Sequence, residues 1–167
     1  MIFNRVWAMP SAHTFTIKPI RELLDRYVLI HVGWADPFSG FNSPAYYTND
    51  LNQEAPTLYH MDAKDFSAML PELLDGIILD PPYSNRQVSE HYRAAGMKAT
   101  SLDTGAAFMS GIRDSIATKI KKGGHVISCG WNSNGMGKGR GFEIIEILLV
   151  AHGGSKNDTI VVVERKL

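Results

Sequence analysis

Short apolar runs alternate along the chain with stretches of helical periodicity. Residues 20–27 place Ile20, Leu23, Leu24 and Tyr27 on one face, as in an amphipathic helix with Pro19 near its start. The same reasoning predicts helices over residues 63–70 and about 105–122, the second ended by Gly123-Gly124.

Seven short runs rich in β-branched and aromatic residues predict strands. They cover residues 27–32, 46–48, 58–61, 77–79, 125–129, 143–151 and 159–164. Strands that alternate with helices predict a mostly parallel sheet covered by helices, whereas the last two strands predict a C-terminal antiparallel hairpin. The fold class is therefore α/β, with one reversed strand in a seven-stranded sheet.

Composition limits the class of protein. The 167 residues are 44% hydrophobic and 20% charged, which predicts one globular domain over residues 1–167. A single cysteine, Cys129, excludes a disulfide framework, and no apolar run approaches the roughly 20 residues of a membrane span. The N-terminus lacks the apolar core of a signal peptide, so we expect a cytoplasmic protein.

The most informative motif is Asp80-Pro81-Pro82-Tyr83, directly after the apolar run of residues 76–79. Ligands of open α/β sheets bind at the carboxyl ends of the strands. The prolines fix φ and lack N–H donors, so their carbonyls stay free to accept hydrogen bonds beside a carboxylate and an aromatic ring. This set suits a planar substrate with an exocyclic amino group, although a Pro-Pro turn capped by Asp80 also explains the motif.

Other acidic residues follow earlier predicted strands. Asp36 opens the segment Asp36-Pro37-Phe38-Ser39-Gly40, and Asp50 and Asp62 come after the next two strands. A carboxylate at such a strand end accepts ribose hydroxyls in dinucleotide folds, and a later one suits an adenine amino group. Each alone is more often a turn or helix cap, but their order before Asp80 favours a nucleotide-like cofactor.

This order of motifs, which begins at Lys18-Pro19, resembles the DNA amino-methyltransferases that use S-adenosylmethionine. More narrowly, the whole chain resembles the short stand-alone adenine-specific methylases of bacteria, phages and mobile elements, which take part in DNA methylation and restriction-modification. The resemblance implies a Rossmann-like methyltransferase fold and transfer of a methyl group to N6 of a flipped-out adenine in DNA.

The resemblance also implies residue roles. Thr14, Thr16 and Lys18 line the methionine end of the cofactor; Asp36, Phe38 and Gly40 form the loop under its methionine and ribose. Asp50 holds the ribose hydroxyls, and Asp62 with Ala63 holds the adenine. Asp80, Pro81, Pro82 and Tyr83 receive the target base, with Asp80 and the Pro81 carbonyl accepting its amino hydrogens. The family loop commonly has a second glycine where this chain has Asn42, which bears on the tightness of cofactor binding.

Several alternatives remain open at this point. Guanine-N2 or adenine-N6 methylation of RNA, glutamine methylation of proteins and cytosine-N4 methylation use similar motifs on the same fold. A non-catalytic module that binds S-adenosylmethionine or nucleic acid is a further alternative. Cys129 need not act as a nucleophile, and the six histidines lack metal-ligand spacing, so no metal site is expected.

No segment is long enough for a separate target-recognition domain. The polar residues 84–104 are expected to be a mobile loop that meets DNA, through Arg86, His91, Tyr92, Arg93 and Lys98. The glycine-rich residues 135–141 lack a phosphate-loop ending and predict a surface loop, with Lys138 and Arg140 available to phosphates. Because 17 basic residues balance 17 acidic ones, a homodimer or an accessory subunit that widens the basic surface stays open.

Overall fold

The computed structural model describes residues 1–82, 92–93, 96 and 106–167. Within these residues seven strands form one sheet: β1 Ile2–Trp7, β2 Trp34–Asp36, β3 Tyr47–Thr48, β4 Leu74–Leu79, β5 Ile120–Gly130, β6 Phe142–Ala151 and β7 Thr159–Lys166. The helices with described bounds are α1 Lys18–Tyr27, α2 Ala63–Met69 and α3 Ala106–Lys119. Short 3₁₀ turns lie at Thr14–Thr16, His31–Gly33 and Lys138–Arg140.

The strand order is β1-β6-β7-β5-β4-β2-β3. Only β7 among these strands runs against its neighbours, pairing antiparallel with both β5 and β6, while all other pairs are parallel. The chain passes outward from β2 to β3 and then returns to β4 on the other side of β2. This makes the gap between β2 and β4 the topological switch point, where open α/β sheets bind ligands.

Helices cover the sheet on both faces and bury two cores. On one face α1 contributes Ile20, Leu23 and Leu24 to a cluster with Ile78 and Ile127 of the central strands. On the other face α2 and α3 bury Phe66, Ile112 and Ile116 against Ile77 and Leu79, in a second cluster. Residues of β4 thus alternate between the two cores, as expected for a strand buried on both sides.

The predicted α/β class, the mostly parallel sheet of seven strands and the C-terminal hairpin with one reversed strand are confirmed. The predicted first strand at residues 27–32 is wrong, because α1 continues to Tyr27 and the following apolar residues Leu29, Ile30 and Val32 are exposed. The strand lies instead at Trp34–Asp36, where Trp34 is buried.

Two other boundaries differ from the predictions. Residues 58–61 form no strand; Tyr59 makes a single parallel bridge to Asn49. The place of that strand in the count of seven is taken by β1, which the sequence pattern did not predict. The helix expected to end at Gly123-Gly124 ends at Lys119, and both glycines lie within β5. No described helix is long and apolar enough to cross a membrane.

Candidate functional site

Four aspartates come together at the carboxyl edge of the sheet. Asp36 ends β2, Asp50 follows β3, Asp62 follows the Tyr59 bridge, and Asp80 directly follows β4. Since these strands are parallel, their ends lie along the same edge. Asp36 and Asp80 flank the switch point between β2 and β4. Along this edge the order is Asp80, Asp36, Asp50 and Asp62, because β4, β2 and β3 are neighbours in that order and Tyr59 bridges to Asn49 beyond them.

Asp36 is fully buried, and its environment is unusual for a carboxylate. Its Oδ2 accepts a hydrogen bond from Ser43 Oγ at 2.6 Å, and its Oδ1 accepts one from the Phe38 N–H at 2.9 Å. Burial raises the pKa of Asp36 from 3.8 to about 7; the two hydrogen bonds oppose the rise, and the charges of Asp80 and Asp50 add to it. A cation placed beside this carboxylate would be strongly favoured.

The loop after β2 is tied to the loop after β3 by Asp50. Asp50 Oδ2 accepts from the Gly40 N–H at 3.0 Å, and Oδ1 accepts from the Asn52 N–H at 2.8 Å. Gly40 has a φ of +51°, which a residue with a side chain adopts at a cost. A Cβ built on Gly40 would meet no atom of the described residues within 4 Å, so among these residues the space beside this backbone is open.

Asn49 is a site residue that the sequence reasoning missed. It is almost completely buried, and its Nδ2 donates to the carbonyls of Pro37 at 3.1 Å and Met61 at 3.0 Å. Its Oδ1 accepts from the Met61 N–H at 3.0 Å. One amide side chain thus joins the loops that carry Asp36 and Asp62. The only signal in the sequence is an amide residue directly before Asp50. Its hydrogen-bond partners, Pro37 and Met61, lie 12 positions away on either side, so the sequence does not indicate its role.

Asp62 serves as the N-cap of α2. Its Oδ1 accepts from the Lys64 N–H at 2.8 Å, and Oδ2 accepts from the Tyr92 hydroxyl at 2.8 Å. Ala63, the first residue of the helix, is buried. Tyr92 was expected in a loop that faces DNA. It is instead buried, and its hydroxyl donates a hydrogen bond to Asp62, a predicted cofactor-binding residue.

Asp80, Pro81 and Pro82 are partly buried at the end of β4. Tyr83 and most of the predicted 84–104 loop, including Arg86, His91 and Lys98, lie outside the described residues. Cys129, on β5 beside β4, is buried; burial, followed by the charges of Asp80 and Asp36, raises the pKa of its thiol well above the ordinary value. Cys129 is therefore held as a neutral thiol next to the site, a poor nucleophile.

An aromatic contact joins the N-terminal segment to the loop after β2. The His13 ring packs edge-on against Phe41 at 5.8 Å, which places Thr14 and its neighbours beside the loop after β2. Thr16 Oγ1 donates locally to the His13 carbonyl at 2.7 Å. The Lys18 side chain is 86% exposed and lies 3.8 Å from Glu22 on the same helix, directed to solvent and not to the aspartates.

The glycine-rich loop of residues 135–141 lies away from this edge. It leads directly into the amino end of β6, which runs parallel to β4, so it belongs to the opposite edge from Asp80. Arg140 is held by Asp114 at 2.7 Å and Ser110 at 2.9 Å, and therefore stabilises the packing of this loop on α3. Lys138 is exposed.

Comparison with solved structures gives the fold a context. TrmN of Thermus thermophilus matches with a TM-score of 0.55 at 16% identity, over 90% of this chain and 49% of TrmN. YhhF of Escherichia coli, a methyltransferase by inference, matches with a TM-score of 0.56 at 10% identity, over 95% of this chain and 90% of YhhF. SMU.1697c of Streptococcus mutans, another inferred methyltransferase and solved with SAH, matches with a TM-score of 0.56 at 13% identity, over 89% of this chain and 98% of that one.

These likenesses show that the chain has the Rossmann-like methyltransferase fold. The chain spans about half the length of TrmN and most of the other two proteins. No family model matches the sequence, and no curated protein matches it in a sequence search.

Proposed function

We propose that the protein transfers a methyl group from S-adenosylmethionine to the exocyclic N6 amino group of adenine in DNA. The observation that carries this proposal is the position of Asp80-Pro81-Pro82. This motif follows the central strand β4 across the switch point from the buried Asp36, close enough for the charge of Asp80 to raise the pKa of Asp36. The motif that is proposed to accept hydrogen bonds from the target amino group thus lies beside the carboxylates at the carboxyl edge of the sheet.

The carboxylates fit a nucleoside carrying a positive charge. Asp50 accepts one backbone N–H on each oxygen, which leaves acceptor capacity on both for ribose hydroxyls. Asp62 likewise has one partner on each oxygen and can accept an adenine amino hydrogen. Asp36, buried and reluctant to ionise, gains most from a nearby cation. The open space beside Gly40 leaves room for a ligand against the backbone.

The target nitrogen needs help because its lone pair is delocalised into the purine ring. When bound, S-adenosylmethionine supplies a methyl group on a positively charged sulfur. The Asp80 carboxylate and the Pro81 carbonyl each accept a hydrogen bond from the amino group. These two hydrogen bonds favour a pyramidal nitrogen whose lone pair is free. Both groups are held by a strand end and two prolines, so little reorganisation is needed. Asp80 then takes the surplus proton of the alkylated nitrogen.

An aromatic side chain at the same edge supports a nucleobase substrate. Trp131 directly follows β5, the strand next to β4, and its side chain is 44% exposed. An aromatic ring at the carboxyl edge of the sheet offers a stacking surface for a base that has been flipped out of the DNA helix. Flipping a base out costs a few kcal/mol. Tyr83, the last residue of the motif, is proposed to stack on the base as well.

The experiment that tests the function is incubation with methyl-labelled S-adenosylmethionine and unmodified DNA or RNA, followed by mass spectrometry of the released nucleosides. The proposal expects label in N6-methyladenine from DNA. Label in N4-methylcytosine or in RNA nucleosides would move the substrate to another member of the same chemical class. An absence of label from every nucleic acid tested, with folded protein and excess cofactor, would contradict the proposal.

A further inference from the structure

The strand β1 (Ile2–Trp7) ends the sheet, and no described residue pairs with its far side. It pairs in parallel with β6 from Ile2↔Glu146 to Trp7↔Ala151, and no other described strand adjoins it. Although it lies at the edge, β1 carries large apolar side chains that face solvent. Phe3 is 60% exposed and Trp7 is 64% exposed, and Met1, Ile2 and Met9 are each more than half exposed. An uncovered apolar edge strand of this length is a template for pairing with another strand.

The backbone groups available on this edge follow from one hydrogen bond. The Ala8 N–H donates to the Ala151 carbonyl of β6 at 3.1 Å. Because N–H and C=O groups of successive residues point to opposite sides of a strand, the even-numbered residues of β1 face β6. The N–H and C=O groups of Phe3, Arg5 and Trp7 therefore point outward, ready to form a second ladder.

From this edge we infer that the partner is a second copy of the chain, joined by antiparallel pairing of the two β1 strands about a twofold axis. Such an axis stands perpendicular to the sheet and keeps each helix layer on its own side. In such a dimer, the side chains of two residues that lie opposite each other must point to the same face of the sheet. Their residue numbers are therefore both even or both odd, and the sum of the two numbers is even. The registers centred on Asn4 and on Arg5 meet this condition with the greatest overlap.

The side chains distinguish these two registers. Centring on Arg5 sets the two Arg5 guanidinium groups directly opposite each other, and like charges in that position destabilise a sheet. Centring on Asn4 pairs Ile2 with the partner's Val6 and Phe3 with the partner's Arg5, each twice. The first pair is apolar, and the second brings a cation to an aromatic ring. The sequence of β1 is thus complementary to itself about Asn4.

Pairing in this register joins the two seven-stranded sheets into one continuous sheet of two chains. It leaves the carboxyl edge with Asp36 and Asp80 open in each copy, since β1 lies at the far end of the strand order from β2. The inference therefore does not depend on the proposed methyl transfer, and either can fail without the other.

Sedimentation velocity of the full chain across a wide concentration range tests the association. We expect a concentration-dependent monomer–dimer equilibrium in the wild type. Phe3→Lys sets a lysine opposite Arg5 at two symmetric positions and should weaken the dimer about tenfold or more. Phe3→Lys with Arg5→Glu restores opposite charges and should recover most of the loss. Leu73→Lys, a comparably exposed leucine before β4, is the matched control and should dimerise like the wild type.

Disulfide trapping tests the register through the distance between equivalent residues of the two copies. In the Asn4-centred register the two Asn4 residues form a non-hydrogen-bonded pair, whose Cα atoms lie about 4.5 Å apart, within reach of a disulfide. Asn4→Cys in a Cys129→Ser background should therefore crosslink faster than Arg5→Cys in the same background. A monomer at every concentration would overturn the inference, as would faster crosslinking through position 5, or a Phe3→Lys variant that dimerises normally.

Discussion

Asp36 and Asp80 end neighbouring parallel strands and influence each other electrostatically across the switch point of the sheet. The charge of Asp80 is one of the contributions that raise the pKa of the buried Asp36 to about 7, although burial is the largest. A fold gains no stability from such an arrangement, because an ionised carboxylate without a cation is costly inside a protein. A positively charged ligand at this edge, as the proposed function requires, would offset that cost.

The first prediction concerns the pH dependence of stability. Because the pKa of Asp36 is raised from 3.8 to about 7, the folded state binds more protons than the unfolded state between these values, and Asp36 lowers stability as the pH rises through that range. A pKa difference of this size between the folded and unfolded states corresponds to about 4 kcal/mol in the free energy of unfolding. Asp36→Asn removes this cost, so the variant should gain stability relative to the wild type from pH 4 to pH 7.

Urea unfolding at a series of pH values measures this difference. Asp25→Asn, on the exposed side of α1, is the control and should show no such trend. A stability difference between Asp36→Asn and the wild type that stays constant over the range would mean that Asp36 ionises normally.

The second prediction concerns Asn49. Asn49→Ala leaves the Pro37 carbonyl and both backbone groups of Met61 without their side-chain partner. We expect a loss of roughly 2–4 kcal/mol in the free energy of unfolding, because one buried and two part-buried hydrogen bonds disappear. Affinity for S-adenosylmethionine should fall as well, since the loops carrying Asp36 and Asp62 lose their link. Asn134→Ala, at an exposed position, should change neither quantity in urea unfolding and calorimetric titration.

The third prediction compares two glycines with open surroundings. A Cβ added at either Gly40 or Gly139 would have no atom of the described part of the chain within 4 Å, but Gly40 alone of the two has a positive φ, +51°. Gly40→Ala should therefore cost about 1 kcal/mol of stability and weaken cofactor binding, whereas Gly139→Ala should be neutral or slightly stabilising. Equal effects of the two substitutions on thermal unfolding would exclude backbone strain as the cause.

The fourth prediction concerns the buried Glu146 on β6, on the face covered by α1. Arg26 Nη2 donates to it at 2.6 Å, and the Tyr27 hydroxyl donates at 2.8 Å. Arg26→Ala leaves this buried carboxylate short of a cation and should cost about 2 kcal/mol, less than the loss of a fully buried pair because the Arg26 side chain is 54% exposed. Lys18→Ala on the same helix removes an exposed ion pair with Glu22 and should cost less than about 1 kcal/mol. Denaturant unfolding that ranks Lys18→Ala as the more damaging change would contradict this interpretation.

The comparison of sequence and structure shows where local pattern is sufficient. The strands β4, β6 and β7 are long, apolar and bounded by turn residues, and their predicted positions agree with the structure. In contrast, the apolar residues 28–32 resemble a strand, yet Leu29 is 76% exposed. The buried strand at this place has three residues, and Trp34 packs where a Cβ on Gly76 would lie 2.5 Å from its ring. That fit between two strands cannot be seen in either segment alone.

In the candidate site, too, local sequence indicates some residues, whereas others depend on distant partners. The position of Asp80 could be predicted because it directly follows β4, a strand that the sequence indicates. Asp50 comes two residues after β3, close to its predicted strand, whereas Asp36 ends a strand that was predicted too early in the chain and Asp62 follows residues that form only one bridge. Asn49 and Tyr92 could not be predicted, since their roles depend on partners 12 or 30 positions distant. The edge strand β1 also escaped prediction, because most of its side chains are exposed and leave no pattern of burial to recognise.

The most direct test of the proposed function is methyl transfer to DNA by Asp80→Asn, measured together with binding of S-adenosylmethionine by calorimetry. The amide has nearly the shape of the carboxylate but cannot accept the amino hydrogens or the surplus proton in the same way. We expect transfer to fall at least about a hundredfold while cofactor affinity changes little. Transfer near the wild-type rate in this variant, or loss of cofactor binding together with transfer in a folded protein, would contradict the role of Asp80 at the centre of the account.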